Sequence, residues 1–102
     1  MRLRQGFLFN NYGIKSDVIR GSVRLRGKGK LDLFVLRYLT EKKKRMGKGT
    51  AKVYSIDVDS PEWKTYTFEF KRPGIKAEDH SLLLWPAKNS QIDVDDLFLA
   101  PK

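Results

Sequence analysis

Few residues in this chain could carry acid–base, metal or nucleophilic chemistry. There is one histidine, His80, and no cysteine. The lack of cysteine excludes a thiol nucleophile, a thiolate zinc site and a disulfide framework. His80 follows a turn signal and has no evident partner, so a surface histidine is expected and no Ser–His–Asp arrangement can be assembled around it. The best carboxylate cluster is Asp93, Asp95 and Asp96. On a strand, Asp93 and Asp95 would share a face about 6.5–7 Å apart, which falls in the range of inverting glycosidases. Yet they project in parallel from one strand, whereas a general acid and base must flank the scissile bond from opposite sides. The cluster then reads as a hard-cation site completed by oxygens from elsewhere, or as a negative edge facing the basic half of the molecule. An enzyme is not expected.

The cationic residues are the more prominent chemical group. The 102 residues carry a formal net charge of +9. Residues 1–52 hold 15 Lys/Arg against 3 Asp/Glu, and residues 53–102 hold 6 against 9. Such asymmetry points to an anionic partner near the first half, or to a solubilising surface. Two groups could meet phosphates or sulfates: the run Lys42-Lys43-Lys44-Arg45, and the stripe Arg20, Arg24 and Arg26, with Lys28 and Lys30 as candidates to extend it. No ribonucleoprotein octapeptide, GXXG loop or zinc-finger spacing accompanies them, so a nucleic-acid reading rests on charge alone.

Aromatic rings are the third group. Trp63 and Trp85 lie near strand ends and Tyr12 lies in a turn. Such rings stack on the C–H face of a sugar or on a nucleobase. The competing reading is that the tryptophans seal the core. Core packing is favoured for Trp63, the choice is open for Trp85, and exposure is expected for Tyr12.

The elements that position these groups are β throughout. No stretch of 12 residues shows an apolar period of 3.6. Candidate strands cover 2–9, 17–26, 30–39, 51–58, 63–70, 81–85 and 91–99, separated by Gly, Pro, Asn and Lys clusters. Turns are expected at Asn10-Asn11-Tyr12-Gly13, at Gly27-Lys28-Gly29 and, as a type II turn, at Pro73-Gly74. Parity puts Ile19, Val23 and Leu25 on one face, with Arg20, Arg24 and Arg26 on the other. In 30–39 both faces are apolar, so one of them is covered or lines a groove. In 91–99, Phe98 shares a face with Ile92, Val94 and Asp96. The stretch Thr40–Thr50, glycine-containing and self-repelling in charge, reads as a mobile surface loop. Seven short strands with turn signals between them predict one sandwich or barrel domain over residues 1–102. No apolar run approaches the roughly 18–20 residues of a membrane span, no signal peptide is visible, and no membrane partner is expected.

Three segments in order resemble a known family. They are Gly21-Ser22-Val23-Arg24-Leu25-Arg26-Gly27-Lys28-Gly29 with the strand that follows to Tyr38, then Trp63-Lys64-Thr65-Tyr66-Thr67-Phe68-Glu69-Phe70, then Ile92-Asp93-Val94-Asp95-Asp96-Leu97-Phe98-Leu99. The order is similar to carbohydrate-binding modules of the family 4, 9 and 22 type, among the galactose-binding-like jelly rolls, and covers about residues 14–99. The resemblance implies an all-β, antiparallel jelly-roll β-sandwich with a noncatalytic glycan-binding role, usually beside extracellular or periplasmic enzymes. It implies no required cofactor. It does imply a structural Ca²⁺ whose final-strand ligand would be Asp95 or Asp96, although the Asn-Gly-x-Phe-Glu strand that supplies other ligands in the family is absent here. A sandwich without that strand leaves a sheet edge open. Residues 2–9, or another domain or chain, would have to fill it.

The expected partner is therefore a polysaccharide or oligosaccharide, acidic or otherwise polar. Tyr12, Arg37, Tyr38 and Trp85 are the expected contacts, joined by Arg24 and Arg26 if the ligand is anionic. The alternatives are a nucleic-acid or other polyanion module using Lys42–Arg45, and a purely structural accessory domain.

Overall fold

The structure is a computed structural model, and it describes residues 2–3, 6–9, 12–41, 44–74 and 78–102. Among these there are six strands and no helix, hence no helix long and apolar enough to cross a membrane. The strands are β1 (Arg2–Leu3), β2 (Phe7–Phe9), β3 (Val18–Glu41), β4 (Lys44–Lys71), β5 (Asp79–Pro86) and β6 (Gln91–Pro101). All their pairings are antiparallel.

β3 and β4 organise the molecule. At about 3.3 Å per residue, 24 and 28 residues would run to roughly 80 and 90 Å if straight. The longest dimension of the molecule is 46 Å, so both strands bend and pass from one layer into the other. They pair with each other along their length, while the first part of β3 (19–28) also pairs with β6 and the second part (31–38) with β5. One layer thus holds β1, β6, the first part of β3 and the last part of β4. The other holds β2, β5, the second part of β3 and the first part of β4. The apolar faces meet in a single core of Ile19, Val23, Leu25, Phe68, Phe70, Ile92 and Val94 from the first layer with Leu31, Leu33, Val35, Ile56, Val58, Leu82 and Leu84 from the second. This is an all-β sandwich, one of the two architectures that the alternation allows, and it agrees with the jelly roll that the resemblance implies.

Four local expectations are corrected. Gly27-Lys28-Gly29 does not reverse the chain. It is a bend within β3, with Gly27 at φ 123° and a register shift between Leu25 and Gly27. On the partner strand this shift leaves Pro61, Glu62 and Trp63 unpaired, with Ser60 Oγ donating to the Glu62 carbonyl. Thr40–Thr50 is not a free loop either: the ladder continues, past a register shift between Arg37 and Tyr38, through Thr40↔Arg45 to Glu41↔Lys44, because paired backbone hydrogen bonds outweigh the sparse glycines. Lys42 and Lys43 lie outside the described residues, as do Asn10 and Asn11. Arg2–Leu3 and Phe7–Phe9, within the single strand expected over 2–9, are two short strands, one edging each layer: β1 pairs β6, and β2 pairs β5.

The fourth correction is Phe98. Ser22 faces Phe98 but Arg24 faces Asp95, so three residues of β6 span two of β3. The extra residue is a bulge, with Asp96 at φ 51°. It reverses the parity that Ile92 and Val94 set. Leu97 and Leu99 pack on the core instead, and Phe98 is 61% exposed.

Candidate functional site

Residues directly opposite one another in a ladder share a face. On the second layer, two rows therefore point away from the core: Leu8–Leu83–Phe34–Lys52 and Ser81–Leu36–Thr50. A third row on that face is Trp85–Asp32–Ser55. The strand alternation that buries Leu82 and Leu84 aims Leu83 and Trp85 outward. Trp85 is 47% exposed and Leu8 45%. The indole rests over Gly6, where an added Cβ would come within 2.4 Å of Trp85 Cε3, so a larger residue there would have to push the ring aside. Beside the ring, Ser55 Oγ donates to Asp32 Oδ1 at 2.7 Å, and Lys52 Nζ lies 3.4 Å from the same oxygen. The Ser55 bond first, and Lys52 with it, holds the Asp32 carboxyl below the usual range. Towards the other end of the face lies a groove of about 340 Å³ lined by Leu8, Leu36, Arg37, Tyr38, Thr50 and Ser81. Trp85 and Ser81 are four residues apart on β5, so the face runs about 13 Å.

An apolar face with one exposed indole, hydroxyls and a carboxylate is suited to a ligand that presents both C–H faces and hydroxyls. Of the expected site residues, the structure brings Trp85 and Tyr38 to this face. Arg37 lines its groove but lies in the inward row with His80. Its guanidinium is held by Glu78 through Nε–Oε2 at 2.9 Å and Nη2–Oε1 at 2.8 Å.

Tyr12 is half-buried rather than exposed, because its ring packs against the core and its hydroxyl meets His80 Nδ1 at 3.3 Å. Burial pushes the phenol up to about 12. His80, expected at the surface, is 3% exposed. The strand begins at Asp79, so His80 continues the inward set of Leu82 and Leu84. Its Nε2 lies 3.1 Å from Glu78 Oε2. The network assigns the neutral tautomer in which Nε2–H donates to Glu78 and Nδ1 accepts from Tyr12.

This buried group gives the fold a pH dependence. Burial, above all, lowers the pKa of His80 from its usual 6.5. Arg37, first, and then His80 lower that of Glu78 from 4.5 to about 2. Both folded values lie below the unfolded ones, so both contributions are complete above the unfolded pKa and are lost on acidification. Stability is expected to fall in two acid steps, beginning below pH 6.5 for His80 and between pH 4.5 and 2 for Glu78. Urea midpoints measured from pH 7 to pH 3 check this, and a flat profile would contradict it.

The expected basic residues lie elsewhere. Arg24 and Arg26 are on the outward face of the first layer, their guanidinium carbons 5.3 and 4.6 Å from the centre of the Trp63 ring. Trp63 thus serves as a platform for two arginines and is not part of the core cluster, a correction to the packing expected of it. Arg26 Nε pairs with Asp93 at 2.8 Å, and Arg24 Nη1 with Asp96 at 3.3 Å. Of the run Lys42–Arg45, the described Lys44 and Arg45 are ladder residues of β4.

The Ca²⁺ expectation does not fit this arrangement. Asp96 faces Arg24, and Asp95 Oδ1 accepts from the Asp96 backbone N–H. Among the described residues no group of three His, Asp or Glu side chains surrounds either aspartate, so any cation here would have to draw most of its oxygens from backbone carbonyls and water.

No known protein-family profile matches the chain, and no curated protein matches it. Solved structures do. One is a Clostridium thermocellum structure of the N-terminal family 22 carbohydrate-binding and GH10 modules of endo-1,4-β-D-xylanase 10B, complexed with xylohexaose. It superposes with a TM-score of 0.63 at 19% identity over 90% of this chain. The chain spans only 18% of that protein's length. Another is a family 16 carbohydrate-binding module, with a TM-score of 0.58 at 15% identity, covering 93% of this chain and 68% of that one. The chain has the fold of a carbohydrate-binding module.

Proposed function

We propose that this chain is a noncatalytic carbohydrate-binding module that takes a polar or acidic glycan on the outward face of its second layer. The observation that carries the reading is Trp85, a half-exposed indole seated on Gly6 beside an apolar groove. Stacking a sugar ring there buries the C–H face of the ligand, while Asp32, Ser55, Lys52 and Thr50 offer donors and acceptors to its hydroxyls. The fold shared with carbohydrate-binding modules supports the ligand class. The net charge of +9 supports an acidic glycan over a neutral one. A noncatalytic role is supported by His80, whose two ring nitrogens are both engaged at the end of the core.

The test is binding to an array of neutral, uronic and sulfated glycans beside single- and double-stranded DNA, read at low and at physiological salt. Selective glycan binding that persists at the higher salt is expected. Trp85→Ala is expected to lower affinity at least about tenfold, which corresponds to about 1.4 kcal/mol, with an unchanged urea midpoint. Binding to every polyanion, falling linearly with the logarithm of salt, would instead assign the chain to nucleic acids or other polyanions.

A further inference from the structure

The glycan reading leaves a second aromatic cleft unused. It lies on the other layer, has a volume of about 540 Å³, and is lined by Arg20, Ser22, Tyr54, Thr67, Glu69 and Phe98, with the edge of Phe68 between them. Two of the most exposed large apolar side chains of the described residues, Phe98 at 61% and Tyr54 at 37%, stand at this cleft.

Phe98 reaches it through the β6 bulge. Without the extra residue at Asp95–Asp96, the parity of Ile92 and Val94 would turn the phenyl ring into the core. The bulge instead sets Phe98 in the outward row Ser22–Thr67–Phe98, beside the row Arg20–Glu69–Ala100. Tyr54 comes from the other layer and leans on Phe68, with ring centres 5.9 Å apart. Glu69 is steadied by Lys102 Nζ at 3.0 Å.

The cleft therefore offers a flat apolar ring, a phenol, two hydroxyls, a guanidinium and a carboxylate. A pyranose ring presents the complement: an apolar C–H face and a rim of hydroxyls that both donate and accept. Arg20 and Glu69 bring a donor and an acceptor to one rim, so hydroxyls of a sugar find both kinds of partner there.

We propose that this cleft is a second sugar-binding site, taking a pyranose unit with Phe98 as its platform, on the layer opposite Trp85. The proposal rests on the glycan reading above. Two sites on opposite layers would let one module grip two strands of a polysaccharide, raising avidity without any new contact.

The test uses xylohexaose, cellohexaose and hexagalacturonic acid as soluble probes, with calorimetric stoichiometry and amide chemical shifts as readouts. The probe that binds the wild-type chain is expected to occupy two sites. Trp85→Ala should retain one, with shifts at Ser22, Thr67 and Phe98. Phe98→Ala should lose those shifts and keep the Trp85 site, and the double variant should be silent. Phe98→Leu, which keeps the apolar bulk but not the ring, should behave like Phe98→Ala. Binding at one site, with shifts confined to the Trp85 face and Phe98→Ala indistinguishable from wild type, overturns the second site and leaves the glycan reading intact. Failure of the wild-type chain to bind any probe overturns both.

Discussion

Replacing Gly27 by alanine is expected to remove about 3 kcal/mol or more of folding stability, a large share of the roughly 5–15 kcal/mol that holds a domain of this size together. Two independent effects coincide at this residue. Its φ of 123° lies where an L side chain is strained, a cost of about 1–3 kcal/mol by itself. An added Cβ would also stand 2.0 Å from the Gln91 carbonyl oxygen and 3.2 Å from Ile92 Cα. These are backbone atoms of β6, paired to β3 at Gly27↔Ile92, and they cannot rotate away as a side chain can. The clash falls at the bend where β3 leaves one layer for the other, so relief requires moving the two layers relative to each other. Urea unfolding measures the loss, and Gly47→Ala is the control. At Gly47 nothing lies within 4 Å of an added Cβ, and its substitution should change stability by no more than about 0.5 kcal/mol. Equal effects at the two glycines would contradict this account of the bend.

Glu78→Ala is expected to cost about 2–3 kcal/mol. The carboxylate is 2% exposed and accepts two bonds from Arg37 and one from His80. Its backbone carbonyl accepts from Arg72 Nη2 at 2.7 Å and from Lys15 Nζ. Removing one partner of a buried pair costs about 3–5 kcal/mol when the other charge is left sealed from water. Arg37 keeps 29% of its side chain exposed and can rehydrate in part, which places the expectation below that range. Glu78→Gln, which retains one acceptor for the guanidinium, should cost less. Both variants should also lose the acid step between pH 4.5 and 2, because the carboxylate held at about 2 in the folded state is the group that titrates there. A Glu78→Ala protein as stable as wild type at pH 7, with the low-pH step preserved, would show that the cluster does not stabilise this end of the sandwich.

Much of the fold was legible because period-2 alternation reports burial directly. Ile19, Val23 and Leu25 are readable as one inward set and are core, whereas in 30–39 both faces are apolar and only the structure shows that Leu31, Leu33 and Val35 are the ones turned to the core. Trp85, near a strand end, reads equally as core or contact in the sequence, and its parity against the buried Leu82 and Leu84 is what turns it outward. His80 reads as a surface residue only if the strand begins at Ser81, whereas it begins at Asp79. Had the alternation been carried back to Asp79, His80 would have fallen on the inward face.

Other features had no local signal. Phe98 and Trp63 owe their positions to register shifts, and a shift depends on the partner strand, which a sequence does not align. The division of β3 between β6 and β5, and hence the separation of Arg24 and Arg26 from Trp85 and Tyr38, arises from a bend at Gly27 that looks locally like a turn. The pairing of Arg37 with Glu78 joins residues 41 positions apart. Composition and alternation alone determined that this chain is basic and all-β, one sandwich or barrel, and placed inward sets such as Ile19, Val23 and Leu25, because burial of apolar side chains is written in the chain's own periodicity. Which charges are neutralised, which rings face solvent and which residues share a face were decided only by tertiary structure, because those depend on inter-strand register, a property of pairs of strands and of no single one.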